Sequence, residues 1–137
     1  MTKAKKKQRI ATYMNTIIFI CGLYNIAFAL FHFGFWKIFQ WNKDLKKLSF
    51  ANKGIIQILN IQICYYFIFT AVICFVFPTE LLTTKLGNWF LIGSSIFWLI
   101  RTIQQFIFLR VNNYKIHLLT FFFLIGMVLF LLPIFFN

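Results

Sequence analysis

The chain has 137 residues, of which 61% are hydrophobic and only 12% are charged. A soluble domain of this length could not bury so much apolar surface in one core, so the composition excludes a soluble globular protein and indicates an integral membrane protein. The net charge of +12 would suggest nucleic acid as the partner of a soluble protein, but here the basic residues flank apolar runs. We therefore expect a bilayer with anionic lipids as the partner, and no nucleic acid.

The first apolar run covers residues 14–36 and follows a basic N-terminal tail, residues 1–13. The run is long enough to span a bilayer as a helix. A secretory signal peptide cleaved near Ala27-Phe28-Ala29 is the alternative, but the apolar run continues past Ala29. The three cysteines, Cys21, Cys64 and Cys74, lie in apolar runs without a CxxC pair, and we interpret them as small apolar residues.

Residues 37–54 are polar and basic, and their apolar members recur at helical spacing. This pattern predicts an amphipathic helix lying in the membrane interface, or an ordinary loop helix packed on the other helices. Trp36 and Trp41 mark the level of the head groups. The residues expected to contact lipid head groups are Lys37, Lys43, Lys46, Lys47 and Trp41.

Three further apolar runs of about 20 residues match the ~30 Å thickness of a hydrocarbon core. They cover residues 55–77, 86–109 and 117–136. Pro78 ends the second run, and Thr83 or Thr84 can cap the third helix. The expected fold class is all-α: a single domain over residues 1–137, with four transmembrane helices in an up-down bundle and an interfacial amphipathic helix between helices 1 and 2.

Four spans place both termini on one side of the membrane, side A, and the loops after helices 1 and 3 on the other, side B. The positive-inside rule does not separate the sides, because side A carries six basic residues and side B seven. Either the basic N-terminus dominates and side A is cytoplasmic, which we favour, or the protein inserts both ways and forms antiparallel dimers.

The polar residues of the spans converge on the half of the bilayer next to side B. Helical spacing puts Ser94, Trp98, Arg101 and Gln105 on one face of helix 3. A similar face on helix 1 carries Asn25, Ala29, His32 and Trp36. A shorter one on helix 2 carries Gln57, Asn60 and Cys64. Because polar groups turned towards lipid would stay unsatisfied, we expect these faces to meet.

Arg101 lies roughly 13 Å from the end of helix 3 at 1.5 Å per residue. A central arginine costs about 2.5 to 3.5 kcal/mol on insertion scales, and the only acids, Asp44 and Glu80, are both in loops. Its partners could be amide side chains, backbone carbonyls, water, a lipid phosphate, an anionic ligand or a partner protein. Trp98, one turn away, could offer a cation-π face or could simply be a core residue.

No hydrolase, metalloprotease, dinucleotide-binding or P-loop motif is present, so we expect no enzyme and no catalytic residue. Proton-coupled four-helix exporters need an intramembrane carboxylate, which this chain lacks. His32 and His117 could ligate a b-type haem, although their depths differ; otherwise we expect neither cofactor nor metal.

The segments FHFGFWKIF, LSFANKGIIQILN and LIGSSIFWLIRTIQQ, residues 31–39, 48–60 and 91–105, resemble those of small bacterial four-helix inner-membrane proteins. This resemblance spans most of the chain and implies a fold and a location in the inner membrane, but no activity.

The expected function is that of an accessory or assembly subunit of a larger membrane complex, or of a lipid-binding module, with a polar pocket around Arg101 open to side B. The alternative is a dimeric carrier or channel in which Arg101 selects an anion. The expected binding residues are Arg101, Gln104, Gln105, Trp98, His32, Asn25, Gln57 and Asn60.

Overall fold

The structure is a computed structural model that describes residues 3–136, apart from the side chains of residues 3, 4, 6 and 7. This part of the chain is all helical, with 91% helix and no strand. Its α-helices are α1 (Lys3–Phe33), α2 (Phe35–Ile38), α3 (Trp41–Asp44), α4 (Phe50–Val76), α5 (Pro78–Thr83), α6 (Lys85–Phe108) and α7 (Tyr114–Phe136), with a 3₁₀ turn at Leu45–Lys47. Four of them are long and apolar enough to cross a membrane. The prediction of an all-helical chain with four spans is therefore confirmed.

The long helices begin before the apolar runs that revealed them, whereas α1, α4 and α6 end one to three residues before those runs do. Within the described residues, α1 begins at Lys3, because the lysine, glutamine and alanine of the basic tail are good helix formers. Residues 1 and 2 of that tail lie outside the described part. Helix α4 begins at Phe50, where the Ser49 hydroxyl accepts a hydrogen bond from the Asn52 N–H at 3.4 Å.

Proline and threonine set the boundaries between α4, α5 and α6. Helix α4 ends at Val76, and Pro78 occupies the first turn of α5, where its missing N–H leaves no helical bond unmade. Thr84 Oγ1 accepts a hydrogen bond from the Gly87 N–H at 2.9 Å, so Thr84 is the N-cap of α6. Gly87 lies so close to the backbone of Glu80 and Leu81 that a Cβ would collide with both.

The segment between α1 and α4 contains short helical turns where the sequence predicted one amphipathic helix. Helices α2 and α3 have four residues each and are separated by Phe39 and Gln40, of which Gln40 adopts the left-handed conformation at φ 48° and ψ 39°. This conformation breaks the hydrogen-bond ladder, and Leu48 then runs extended before α4 begins. Local amphipathic spacing is therefore present without a continuous helix. Leu45 is buried in this segment.

Residues 22–73 form one compact unit. In it, the second half of α1 packs antiparallel on α4, with Phe28 against Phe67 at a centroid separation of 5.8 Å. Close to this pair, the Cys64 thiol lies 3.9 Å from the backbone oxygen of Ala29, and both residues are buried. The small side chains of alanine and cysteine allow the two helices to approach.

Residues 3–21 and 74–136 belong to the other compact unit. Here α6 and α7 pack antiparallel, since Ser95 Oγ donates to the Met127 oxygen at 3.0 Å and Trp98 lies against Gly126. A Cβ on Gly126 would come within 2.7 Å of the Trp98 indole, so only glycine permits this contact. Cys21 adds a thiol contact to the Leu129 oxygen at 3.5 Å.

Candidate functional site

His32 and Asn60 form a reciprocal polar pair in the unit of residues 22–73. His32 Nδ1 lies 2.9 Å from Asn60 Oδ1, and Asn60 Nδ2 donates to the His32 backbone oxygen at 3.1 Å. Because a carbonyl oxygen only accepts, the imidazole carries its hydrogen on Nδ1 in this pair. Asn60 is buried, and the His32 ring stacks on Phe35 with centroids 4.3 Å apart. Helices α1 and α4, which are the first two spans, thus bring together two of the polar residues that helical spacing indicated in the sequence.

Gln57 and Asn25 are the other polar candidates of this unit. Gln57 is half-buried and its Nε2 donates within its own helix, to the Lys53 oxygen at 3.0 Å. Asn25 is buried and lies on the same face of α1 as Ala29 and His32. An amide that bonds to its own backbone, as Gln57 does, needs no partner from another helix.

The polar face predicted for helix 3 is present in α6. Ser94, Trp98 and Gln105 are buried and Arg101 is half-buried, whereas Gln104 is exposed. Gln104 therefore lies on a different face of α6 from Trp98, Arg101 and Gln105. The burial of Trp98 to 1% is explained by Gly126, which leaves room for the indole ring on α7.

Arg101 uses Phe123 as its aromatic partner. The guanidinium carbon lies 4.6 Å from the centroid of the Phe123 ring, so the cation-π face considered for Trp98 is supplied by a residue of α7. Trp98 itself packs beside Phe123, with centroids 5.9 Å apart. Among the residues that the structure describes, no carboxylate lies within ion-pair distance of Arg101, and Asp44 pairs instead with Lys47 at 3.3 Å. The positive charge is therefore not neutralised by the described part of the chain.

Gln105 is a buried amide whose hydrogen-bonding groups are not used. Its side chain is 1% exposed, and neither Nε2 nor Oε1 has a hydrogen-bond partner within the described range of residues 3–136. A buried amide without partners costs free energy, because it has lost water and gained nothing in exchange. Buried polar groups in folded proteins nearly always have a hydrogen-bond partner, so Gln105 is an exception among the described residues of α6.

Gln105 lines a pocket of about 220 Å³ at the turn from α6 to α7, which we call the turn pocket. Thr120 lies in its wall, but its hydroxyl donates to the Ile116 oxygen at 2.9 Å. Arg110 Nε donates to the Phe106 oxygen at 3.2 Å, and His117 Nε2 bonds to Asn112 Oδ1 at 3.0 Å. The pocket is lined by Gln105, Phe106, Leu109, Arg110, Val111, Asn112, Ile116, His117 and Thr120. Arg101, around which the sequence placed a pocket, is not part of its wall.

A second pocket, of about 360 Å³, lies in the unit of residues 22–73, and we call it the basic pocket. Trp36 and Trp41 meet edge to face with ring centroids 5.0 Å apart. The basic pocket is lined by Trp36, Trp41, Asn42, Leu45, Lys46, Lys53 and Gln57. Lys37, Lys43 and Lys47 are exposed but do not line it. Of the five residues expected to contact lipid head groups, two belong to this pocket.

Each of the two histidines considered as haem ligands makes a hydrogen bond to an asparagine, His32 to Asn60 and His117 to Asn112. In the described part of the chain, no group of three or more histidine, cysteine, aspartate or glutamate side chains could hold a metal ion. The three cysteines are free and buried.

Sequence reasoning missed Phe123, Gly126 and Thr120, the residues of α7 that face α6. Helix α7 is apolar on every side, so no polar face marks the side that packs. Only Gly126, a glycine inside a span, carried a signal, since small residues are frequent where transmembrane helices approach closely.

The sequence matches no protein-family model, and neither the curated proteins nor the solved structures gave a match. The class of protein is therefore inferred from the helices of the chain itself. Four helices long and apolar enough to cross a membrane, in an otherwise helical chain, define a multi-pass membrane protein.

Proposed function

We propose that this protein is a non-enzymatic, multi-pass protein of the bacterial inner membrane that binds anionic lipid head groups in its basic pocket. The observation that carries the proposal is the composition of that pocket, in which two lysines and two tryptophans surround a space of about 360 Å³. In this proposal the four spans form an up-down bundle and residues 34–49 lie at the membrane interface.

The chemistry of the wall suits a lipid phosphate at the edge of the bilayer. Tryptophan rings are enriched at this level, and each basic residue near an anionic surface contributes about 1 kcal/mol of attraction. Lys47 is paired with Asp44, whereas Lys46 and Lys53 have no ion pair within the described residues. The amides of Asn42 and Gln57, which also line the pocket, offer further donors to a head group.

The proposal predicts a difference between lysines of the same segment. The double variant Lys46→Gln/Lys53→Gln should lower the preference for phosphatidylglycerol over phosphatidylcholine by about tenfold or more, since roughly 2 kcal/mol of attraction is removed. The measurement is the relative binding constant from quenching of tryptophan fluorescence by brominated forms of the two lipids.

The matched control is Lys37→Gln/Lys43→Gln, which removes the same charge from exposed positions outside the pocket. It should change the preference by a much smaller factor. An equal loss in both double variants would mean that the segment attracts anionic lipid without a defined site, and the pocket would be rejected.

We also propose that both termini are cytoplasmic, because the basic N-terminal residues lead the first span. Reporters that are active on one side of the membrane only, fused to the C-terminus, test this orientation. Activity of the cytoplasmic reporter alone is expected. Equal activity of both reporters would instead indicate dual insertion and antiparallel dimers.

A second candidate function is that of an anion carrier or channel, favoured by the charge of Arg101. The guanidinium lies over Phe123 in a span and has no described carboxylate to neutralise it. In liposomes, a chloride flux that is lost in Arg101→Leu and kept in Arg101→Lys would support this function. Recovery of one stoichiometric partner protein with the wild-type chain would instead identify an accessory subunit of a larger membrane complex.

A further inference from the structure

Arg101 is a cation that the described chain holds inside a span without a counter-charge. Its guanidinium lies over the ring of Phe123, which is the tenth of the 23 residues of α7 and is therefore near the middle of that helix. A side chain that reaches for a lipid phosphate extends instead towards the end of its span. Of the two acids in the chain, Asp44 pairs with Lys47, and Glu80 belongs to α5, outside the four spans. An anion that neutralises Arg101 must therefore lie within the span.

The guanidinium also has unused hydrogen-bonding groups. It carries five N–H donors, and no hydrogen bond joins it to another residue of the described range 3–136. Arg101 is half-buried, so part of its side chain is accessible from outside the protein. Donors without partners in hydrocarbon are unfavourable, and an anionic acceptor at this surface would satisfy them.

The exposed side of α6 next to Arg101 carries a small residue and a polar one. Gly93, Ile100 and Gln104 are separated by seven and four residues, so they share one face, and all three are exposed. We call these three residues the outer face of α6. A Cβ on Gly93 would meet no atom within 4 Å, and Gln104 makes no hydrogen bond to the described part of the chain. Arg101 and Gln104 are three residues apart and are neighbours on the helix.

Small residues and hydrogen-bonding side chains are enriched where one transmembrane helix packs on another. We propose that a transmembrane helix of a different protein docks on the outer face of α6 and places a carboxylate against Arg101. Gly93 leaves space for a close approach of the helix, and the Gln104 amide offers a further donor to the same carboxylate. A second copy of this chain does not have the required chemistry, because its four spans contain no acid.

The test uses a synthetic helix of about 20 leucine and alanine residues, long enough to span a bilayer, with one aspartate at its centre. An otherwise identical helix carries asparagine, which has a similar shape and no charge. Each peptide bears a dansyl group, and energy transfer from the tryptophans of the full chain in phosphatidylcholine vesicles measures binding. The wild-type chain should bind the aspartate helix about tenfold more tightly, because Arg101 forms charge-assisted hydrogen bonds with it. Equal binding of the two helices would overturn the proposal.

Substitutions of arginine show whether the preference for aspartate comes from Arg101. Arg101→Met keeps an unbranched side chain without the charge and should abolish the preference; Arg101→Gln replaces it if Arg101→Met does not fold. The matched control is Arg110→Met, which removes the same charge from an exposed position beyond the end of α6 and should keep the preference. A preference that persists without Arg101, or that is lost equally in Arg110→Met, would contradict the proposal.

Substitutions of glycine test the docking face. Gly93→Leu fills the space that the incoming helix would occupy and should weaken binding of the aspartate helix by about tenfold. The matched control is Gly54→Leu, at a glycine of α4 that also has no atom within 4 Å of its Cβ, and it should bind as the wild type does. Equal binding by the two variants would reject the outer face as the docking surface.

Two other results would assign these residues differently. A homodimer, detected by energy transfer between differently labelled copies and dispersed by Gly93→Leu, would make a second copy the occupant of the outer face. A chloride flux that requires Arg101, in a chain that does not distinguish the two helices, would assign Arg101 to an anion carrier. The inference does not rest on the basic pocket. In Lys46→Gln/Lys53→Gln the preference for the aspartate helix should remain, so the two proposals can fail separately.

Discussion

Two buried amides, Asn60 in the unit of residues 22–73 and Gln105 in the other unit, differ in how far their hydrogen-bonding groups are used. In residues 22–73, Asn60 uses its donor and its acceptor on His32, so the polar groups of two spans satisfy each other. In the α6–α7 pair, Gln105 keeps both groups unused, and the helices are joined by the close contact of Trp98 with Gly126. An amide whose donor and acceptor are both paired stabilises a fold, whereas a buried amide without partners destabilises it. The difference separates an amide that stabilises the fold from one that costs it free energy.

The largest expected effect concerns the packing that holds α6 and α7 together. Gly126→Ala places a Cβ within 2.7 Å of the rigid Trp98 indole and should lower the free energy of unfolding by about 1–3 kcal/mol. Gly93→Ala, on α6, meets no atom within 4 Å and should be neutral or slightly stabilising. Equilibrium unfolding in mixed micelles of dodecyl sulfate measures both. A tolerated Gly126→Ala would show that the two helices do not depend on this close approach.

Removal of the Asn60 amide, which is paired with His32, should lower the free energy of unfolding. Asn60→Leu removes both hydrogen bonds between this side chain and His32, and we expect a loss of about 1–2 kcal/mol in the same unfolding assay. Gln62→Leu, at an exposed position of the same helix, should change stability by less than about 0.5 kcal/mol. A similar response of the two variants would contradict a structural role for the pair.

Removal of the Gln105 amide should have the opposite effect and raise the free energy of unfolding. Gln105→Leu removes two unpaired polar atoms from a buried position and should raise the free energy of unfolding by about 1 kcal/mol. Gln104→Leu is the exposed control and should lie within about 0.5 kcal/mol of the wild type. If Gln105→Leu destabilises the protein as much as Asn60→Leu does, the Gln105 amide contributes to the stability of the fold and the contrast between the two amides disappears.

The smallest expected effect is the coupling between Arg101 and Phe123. A double-mutant cycle of Arg101→Met and Phe123→Leu should give a coupling energy of about 0.5–1 kcal/mol, the range of a cation-π pair that is not fully desolvated. The cycle removes the packing contribution that Phe123→Leu alone would include. A coupling energy near zero would mean that the guanidinium is held by lipid or ligand and not by the ring.

Some features of the fold and the site follow from the sequence by itself. The length and apolarity of the runs determine four spans, because a helix must cover about 30 Å of hydrocarbon to cross a bilayer. Spacing of 3.6 residues placed Ser94, Trp98, Arg101 and Gln105 on one face of α6. In the structure all four side chains are buried or half-buried. The same spacing leaves Gln104 off this face, although Gln104 was among the expected binding residues, and in the structure Gln104 is exposed.

Only the tertiary structure decided which polar groups find partners. The pairing of His32 with Asn60, the position of Phe123 under Arg101 and the unused amide of Gln105 depend on how one helix is rotated and shifted along another. A sequence fixes the faces of each helix but not this register, and an all-apolar helix such as α7 does not even mark its packing face. Glycine and aromatic side chains set the register by shape, and shape complementarity exists only when both helices are in place.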